Sequence, residues 1–240
     1  MRVRPAALNR AIAWLFIVGA ACFALGAMPA YAGAVGTAAD SVTFFVGSIF
    51  FTSASFAQLL QAQTPAMTDV DLTSEHVARP LRFRAWRPHD PGWLGAVTQF
   101  LGTLYFNVST FASLAHNATV AEEDRRVWRP DFVGSTLFLV ASGFAIYAVS
   151  ARFLGARPAL APRGIAWLNM IGSVFFMASA IASYVLPSTA EDLGPKVSGV
   201  GTLLGALCFL AGASLMFTAW RSAVQSRQRA DFAGPRTDPG

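Results

Sequence analysis

The sequence predicts an all-α, polytopic integral membrane protein with six transmembrane helices arranged as three related helical hairpins. Apolar residues make up 54% of the 240 residues and charged residues 13%, whereas an average soluble domain has about 25% charged residues. Six apolar runs have close to the ~20 residues that a helix needs to cross a bilayer. Their charged residues lie only at their ends. The runs also share a repeated phrase of a kind that packs helices in lipid.

The repeated phrase is Gly-small-x-x-Phe, with another small residue three places after the Phe. Positions 0, 4 and 7 share one face of a helix, so each run presents a Phe between two small residues. Small residues let membrane helices approach closely. The helix-packing pairs expected from this pattern are Gly19 and Phe23, Gly47 and Phe51, Gly102 and Phe106, Gly134 and Phe138, Gly172 and Phe176, and Gly205 and Phe209.

The first hairpin is predicted at 1–62, with spans at 11–30 and 42–62. The arginines before the first span and the small residues at its end also resemble a cleavable signal peptide. The span is nevertheless longer than the roughly 7–15 residues of a signal core. Its Ile-Ala-Trp-Leu segment, starting at Ile12, also recurs from Ile165. We therefore expect the first span to be retained.

A cytoplasmic connection is predicted at 63–93. Its second half interleaves arginines with aromatic residues. This composition is typical of a segment that rests on anionic lipid headgroups, where each basic residue contributes about 1 kcal/mol. A docking site for a cytoplasmic partner is the alternative. The residues expected to make either contact are Arg79, Arg82, Arg84, Trp86 and Arg87.

The rest of the chain continues the hairpin pattern. Pairing neighbouring spans gives glycine-to-glycine spacings of 28, 32 and 33, which are more uniform than those of two inverted three-span repeats. The predicted segments are a second hairpin at 94–151 (spans 94–115 and 131–151), a short basic loop at 152–164, a third hairpin at 165–219 (spans 165–186 and 198–219) and a disordered cytoplasmic tail at 220–240.

The distribution of basic residues predicts the orientation. Fourteen of the 18 Lys and Arg residues fall on the side that holds both termini. The positive-inside rule therefore places both termini in the cytoplasm. Trp14, Trp93, Trp167 and Trp220 fall at the inner ends of spans, as expected for an aromatic belt. Topology thus explains the net charge of +5, and no nucleic-acid partner is predicted.

The repeats resemble those of the YrhK-like family of small bacterial membrane proteins. The similar segments are the aromatic-flanked Gly-Ser centres, Phe-Phe-Val-Gly-Ser-Ile-Phe-Phe ending at Phe51 and Met-Ile-Gly-Ser-Val-Phe-Phe ending at Phe176. The resemblance covers the apolar spans and fades in 63–93 and in the tail. It implies a protein of the bacterial inner membrane with no assigned activity, and it transfers no catalytic residue.

The spans lack the groups that intramembrane chemistry requires. No ionisable side chain lies in the middle of a span, which disfavours a proton relay, a pump, an intramembrane protease and a voltage sensor. The loop residue His116, with the carboxylates that follow it, and His76 and His89, with theirs, match no established metal-ligand spacing. We therefore predict no catalytic residue, no metal site and no cofactor.

Neutral polar residues form a stripe on the third span, within about 80° on a helical wheel, and the fifth span adds two more. Interhelical hydrogen bonding is the favoured interpretation, because Ser and Thr readily bond to their own or a neighbouring helix. A lining for the route of a small solute is the alternative. This candidate polar seam consists of Gln99, Thr103, Asn107, Thr110, Ser113, Asn117, Asn169 and Ser173.

Two functions follow from these patterns. The favoured one is a non-catalytic structural or accessory subunit that associates, as a homo-oligomer or with a membrane-protein partner, through its Gly/small-xxx-Phe faces. The alternative is a channel or facilitator for a small neutral or weakly polar solute, lined by the polar seam. Replacing Gln99 and Asn107 together by Leu separates the two, because a route would lose flux while a packing seam would lose stability.

Overall fold

The computed structural model describes residues 1–64, 78–115, 119–152, 160–189 and 192–232. Two-residue strands, β1 (Arg2–Val3) and β2 (Arg79–Pro80), pair antiparallel. Apart from this pair the predicted all-helical class is confirmed. The helices in chain order are α1 (Pro5–Gly26), α2 (Pro29–Val35), α3 (Thr37–Gln63), α4 (Pro91–Ala112), α5 (Val120–Glu123), α6 (Arg129–Arg152), α7 (Leu160–Ala182) and α8 (Pro195–Phe232), with a π-helical turn at Asp124–Trp128 between α5 and α6.

Prolines set several helix boundaries. Pro5, Pro91 and Pro195 each begin a helix, where the missing N–H costs no intrahelical hydrogen bond. The first helix ends at Gly26, before the predicted end of the first span at residue 30. Pro29 cannot continue a helix and instead starts α2, because its ring excludes the preceding turn.

The expected disorder of the tail is wrong for its first part. The helix α8 does not stop near residue 219 but runs to Phe232. Residues 220–232 contain Ala, Arg and Gln, which are good helix formers, and neither Gly nor Pro, so nothing local ends the helix. Residues 233–240 lie outside the described part of the chain.

Five helices are long and apolar enough to cross a membrane, so the chain is a membrane-embedded protein. Within the described residues they are Pro5–Gly26, Thr37–Gln63, Val120–Ser150, Ala161–Ala182 and Pro195–Arg221. The helix α4 has 22 residues and no charged residue, but the amides of Gln99 and Asn107 and several hydroxyls reduce its hydropathy. The residues of the predicted polar seam therefore set α4 apart from the other five.

The six long helices form a closed ring. Each packs against the next in the order α1, α3, α4, α6, α7 and α8, and α8 returns to pack against α1. The most extensive contacts lie within the pairs α1–α3, α4–α6 and α7–α8. These are the spans that the glycine spacing groups together.

The six phenylalanines of the repeated phrase meet at the centre of the ring, in an arrangement that we call the phenylalanine prism. One triangle of rings comes from the first helix of each pair and the other from the second. The first triangle is Phe23, Phe106 and Phe176, and the second is Phe51, Phe138 and Phe209. Ring centroids are 6.1–6.5 Å apart in the first triangle and 5.5–6.4 Å apart in the second. The cavity between the rings is about 10 Å³, room for one water at most.

Within each helix pair the glycine of one helix lies against the phenylalanine of the other. A Cβ added at Gly102 would lie 2.8 Å from the Phe138 ring and 3.2 Å from the Gly134 carbonyl oxygen, and one at Gly134 would lie 3.3 Å from the Phe106 ring. The same reciprocal pairing holds in the other two pairs. Since every Gly–Phe face is occupied within the chain, the described residues leave no such face free for a partner.

Candidate functional site

A pocket of about 300 Å³ lies between α3, α4, α6 and α7. It extends from Asp90 and Pro162, at the starts of α4 and α7, to Gln99 and Asn169. These last two residues lie one helical turn before the glycines that carry the phenylalanine prism. The pocket therefore occupies the half of the ring that faces the chain's N-terminus, and the prism forms its inner limit. We call it the amide pocket.

The amide pocket exists because the three helix pairs differ at equivalent positions. Three residues before the glycine, the first helices carry Phe16, Gln99 and Asn169; seven residues after the phenylalanine, the second helices carry Gln58, Ala145 and Met216. In α1 and α8, Phe16 and Met216 pack into the main apolar core. In the other four helices amides and small residues stand at these positions. Large side chains thus fill the space beside α1 and α8, and a cavity remains between the other four helices.

The pocket walls are apolar and smooth, and its polar groups are mainly amides. Small side chains of α4 and α6, including Ala96, Ala141 and Ala145, form much of the wall. The polar lining groups are the side chains of Gln58, Gln61, Gln99, Asn169, Asp90 and the Trp93 indole. An apolar cleft with a few convergent polar groups is the usual form of a small-molecule site.

Two buried polar atoms, on residues that line the pocket, have no hydrogen-bond partner among the described residues. They are the Nε1 donor of Trp93 and the Oε1 acceptor of Gln58. The Trp93 residue is only 6% exposed, and its ring packs with Leu59 and Ala96 of the pocket region. An unsatisfied buried polar group costs about 1–3 kcal/mol, so a bound molecule that pairs with these atoms would gain affinity.

The charge of Asp90 is already engaged. Its Oδ1 accepts from the backbone N–H groups of Gly92 at 2.9 Å and Trp93 at 3.3 Å, capping α4. Its Oδ2 lies 3.1 Å from Nη2 of Arg87, whose Nη1 donates to the Ala62 carbonyl oxygen at 3.0 Å. Among the described residues that line the pocket Asp90 is the only charged one, and the site is therefore close to neutral.

The predicted polar seam divides into two parts. Gln99 and Asn169 line the amide pocket. Nearer the prism, Thr110 shares a hydrogen bond of 2.9 Å with Ser48 of α3, and Ser173 shares one of 2.9 Å with Ser142 of α6. The two hydroxyl contacts join neighbouring helix pairs, as the hydrogen-bonding interpretation expects.

The other seam residues have separate surroundings. Thr103 is fully buried and donates to the Phe100 carbonyl oxygen at 2.7 Å, and Ser113 donates to that of Ser109. Asn107 is half-buried, and its Oδ1 has no hydrogen-bond partner within the described chain. It directly follows Phe106 of the prism and is not among the residues that line the amide pocket, so it does not share that site with Gln99. Asn117 lies outside the described residues.

The basic and aromatic residues of the connection lie at the same end of the ring as the pocket. Arg82 and Arg84 are exposed, and Trp86 is 82% exposed. The Trp86 ring also meets that of Trp93 edge-on, with centroids 5.5 Å apart. Arg79 lies half-buried in β2. Arg87 does not project freely, because it is held by Asp90 and Ala62.

The predicted polar seam left out three residues of this site. Gln58 and Gln61 follow the packing phrase of the second span and resemble polar span ends. Trp93 was expected in the aromatic belt, but it is buried in the pocket wall while Trp14 and Trp167 are about half exposed. The signal that could have found the site is the contrast between Phe16 or Met216 and the amides at equivalent repeat positions.

The described residues hold no group of three or more His, Cys, Asp or Glu side chains arranged to bind a metal ion. His76 and His116 lie outside them. Cys22 and Cys208 are free, although their helices α1 and α8 are in contact. Comparison with protein-family models, curated proteins and solved structures found no match to this chain.

Proposed function

We propose that this chain is a non-catalytic integral membrane protein that binds a small, neutral, polar molecule in the amide pocket. It crosses a bacterial inner membrane six times as three hairpins, with both termini in the cytoplasm and the pocket on the cytoplasmic side. The observation that carries the proposal is a pocket of about 300 Å³ whose buried Trp93 donor and Gln58 acceptor lack partners among the described residues.

The proposed topology rests on the charge distribution and on the ring. α4 takes its place between α3 and α6 in the ring, which supports it as the sixth span despite its lower hydropathy. Gln99 lines the pocket and Thr103, Ser109 and Thr110 are buried, so these polar groups avoid lipid. Retention of the first span is supported by Ile12 and Ala13, which are fully buried. The YrhK-like resemblance stays a prediction.

Binding fits the geometry better than open conduction. A solute that entered the pocket would meet the phenylalanine prism, whose central cavity is about 10 Å³. Hydrophobic constrictions of this kind exclude water and polar solutes. A facilitator would have to separate these rings, whereas a binding protein needs no such motion.

The test is to fill the pocket and measure binding. Ala145→Met places in α6 the residue that α8 carries at the equivalent position, and Val140→Met adds the same side chain at a residue of α6 that is 46% exposed. We expect a panel of neutral polar compounds to include some that raise the melting temperature of the native chain in nanodiscs, since a ligand at 100 times its Kd stabilises by about 2.7 kcal/mol. Val140→Met should keep this response and Ala145→Met should lose it. An equal response in both variants would contradict the proposal.

An accessory role with a membrane-protein partner is the second candidate, favoured by the exposed surface of the connection. Arg82, Phe83, Arg84 and Trp86 are exposed together at one end of the ring. They suit anionic headgroups or an acidic partner. Association through the Gly–Phe faces of the described helices is not available, because those faces are used within the chain. Replacing Arg82 and Arg84 by Gln should release a co-purified partner without affecting compound binding.

A further inference from the structure

We infer that the amide pocket recognises a neutral carboxamide-type group, as found in primary amides, lactams and ureas. This inference rests on the proposed function and narrows its ligand from any neutral polar molecule to one chemical class. The observation that carries it is that two residues lining one pocket have a buried N–H donor and a buried carbonyl acceptor, both without a partner in the described part of the chain.

The charge balance of the pocket excludes ionic ligands. No Lys, Arg or His is among the described residues that line it, so a carboxylate or phosphate would lose its hydration without gaining a counter-charge. An ammonium would find only Asp90, both of whose oxygens are already engaged. A neutral molecule avoids both penalties.

The hydrogen-bonding pattern selects among neutral molecules. The indole N–H of Trp93 can only donate, so its partner must accept. The carbonyl oxygen of Gln58 can only accept, so its partner must donate. A carboxamide carries both functions, a C=O and an N–H, in one small planar unit. A ketone or ether supplies only the acceptor, and a hydrocarbon supplies neither.

The pocket walls indicate what surrounds the carboxamide. Ala96, Ala141, Ala145 and Ala166 offer small apolar surfaces. Gln99 and Asn169 lie at the deep end and can bond further polar atoms. The inferred ligand is therefore a small planar amide with a compact apolar or aromatic body.

The test uses benzamide as the probe, with acetophenone, which keeps the carbonyl but lacks the N–H, and benzoate as matched compounds. Binding to the full-length chain in nanodiscs is measured by ligand-observed NMR titration. We expect benzamide to bind about tenfold more tightly than acetophenone and benzoate not to bind.

Two variants assign the contacts. Trp93→Phe removes the donor and should weaken both neutral probes by about tenfold. Gln58→Met removes the acceptor at similar length and should weaken benzamide alone. If Trp93→Phe lowers the melting temperature of the chain, Gln58→Met still tests whether the pocket bonds the N–H of benzamide.

The outcomes separate this inference from the proposed function. If other neutral compounds bind and Ala145→Met removes their binding, but benzamide shows no preference over acetophenone, the inference is overturned and the proposed function stands. The inference is also overturned if Gln58→Met leaves benzamide binding unchanged, since the N–H of benzamide would then not be bonded to Gln58. If no neutral compound binds at all, the proposed function itself fails.

Discussion

Glycine at the repeated positions is required by the ring that lies against it. At Gly205 an added Cβ would lie 2.9 Å from the Phe176 ring and 3.0 Å from the Gly172 carbonyl oxygen. Both neighbours are buried at a helix–helix contact, so neither can withdraw cheaply. A glycine without such a neighbour has no comparable role. Gly199 on the same helix would meet nothing within 4 Å.

We therefore expect Gly205→Ala to destabilise the folded chain by about 1–3 kcal/mol, as overpacking does. Gly199→Ala should leave stability unchanged or raise it slightly, because alanine is the better helix former. Thermal unfolding of both variants in the same detergent measures the difference. Equal melting temperatures would show that the Gly–Phe contacts do not hold the helix pairs together.

Replacing a phenylalanine of the prism should lower the stability of the chain more than replacing an exposed phenylalanine. Phe138 is 2% exposed at the centre of the ring, whereas Phe111 on α4 is 64% exposed. Phe138→Ala would leave a cavity and should cost about 3–5 kcal/mol. Phe111→Ala removes an exposed ring whose centroid lies 5.6 Å from that of Phe45 and should cost only about 0.5–1.5 kcal/mol. Thermal unfolding again measures both, and comparable losses would contradict a closed phenylalanine centre.

The positions of the packing glycines and phenylalanines could be predicted from the sequence, because the phrase recurs six times at helical spacing. The burial of Trp93 could not, because a tryptophan at the end of a span has the same local sequence whether it meets lipid or the wall of a pocket. Its environment is set by Gln58 and Leu59 of α3, far away in the chain.

At the scale of elements, the junctions between helix pairs are not alike. Hydroxyl groups join α3 to α4 through Ser48 and Thr110, and α6 to α7 through Ser142 and Ser173. The equivalent positions of α1 and α8 include Ala20, Ala206 and Ala213, all buried. Two junctions are therefore polar and one is apolar. All four helices that these hydroxyl groups join also line the amide pocket.

This contrast predicts a measurable coupling between Ser142 and Ser173. A double-mutant cycle with alanine at each position should give about 0.6–1.7 kcal/mol, the range of hydrogen bonds between membrane helices. Ser214→Ala is the control, because that exposed hydroxyl donates to the Leu210 carbonyl oxygen of its own helix. The unfolding free energies of the native chain, the two single variants and the double variant give the coupling energy. A value near zero would mean that packing alone sets this junction.

Most helix ends differ by several residues from the predicted spans, and two of the differences have local causes. Pro29 ends the first span early, and nothing in residues 220–232 ends α8. The π-helical turn at Asp124–Trp128 was not foreseeable. It is fixed by tertiary contacts, as Ser109 donates to the Val127 carbonyl oxygen and Trp128 to that of Ala180.

At the scale of the whole molecule, three similar helix pairs close into one ring, and the ring departs from threefold symmetry where the pocket lies. The all-helical, membrane-embedded class could be predicted, because composition acts along the chain, and the hairpin arrangement stays a prediction. The pocket could not be predicted, because it is the space left where Phe16 and Met216 have no bulky counterparts in α3, α4, α6 and α7. That space becomes a pocket only when the helices close into a ring, and this closure depends on contacts between segments far apart in the chain.

The proposed orientation predicts opposite labelling at the two ends of the ring. In a background with Cys22 and Cys208 replaced by Ala, an exposed position at each end takes a single cysteine. Ala121→Cys should react with a membrane-impermeant maleimide in intact cells, and Arg84→Cys only after the membrane is opened, as the positive-inside rule requires. The reverse pattern would place the termini and the pocket outside.

The most direct test of the central claim is native mass spectrometry of the chain extracted gently from its own membrane, as native sequence, Ala145→Met and Val140→Met. The account predicts that the native chain and Val140→Met each retain one small non-lipid molecule and that Ala145→Met carries none. Identical spectra for all three, or a stoichiometric second polypeptide with no small molecule, would contradict a ligand-binding pocket and favour the accessory role.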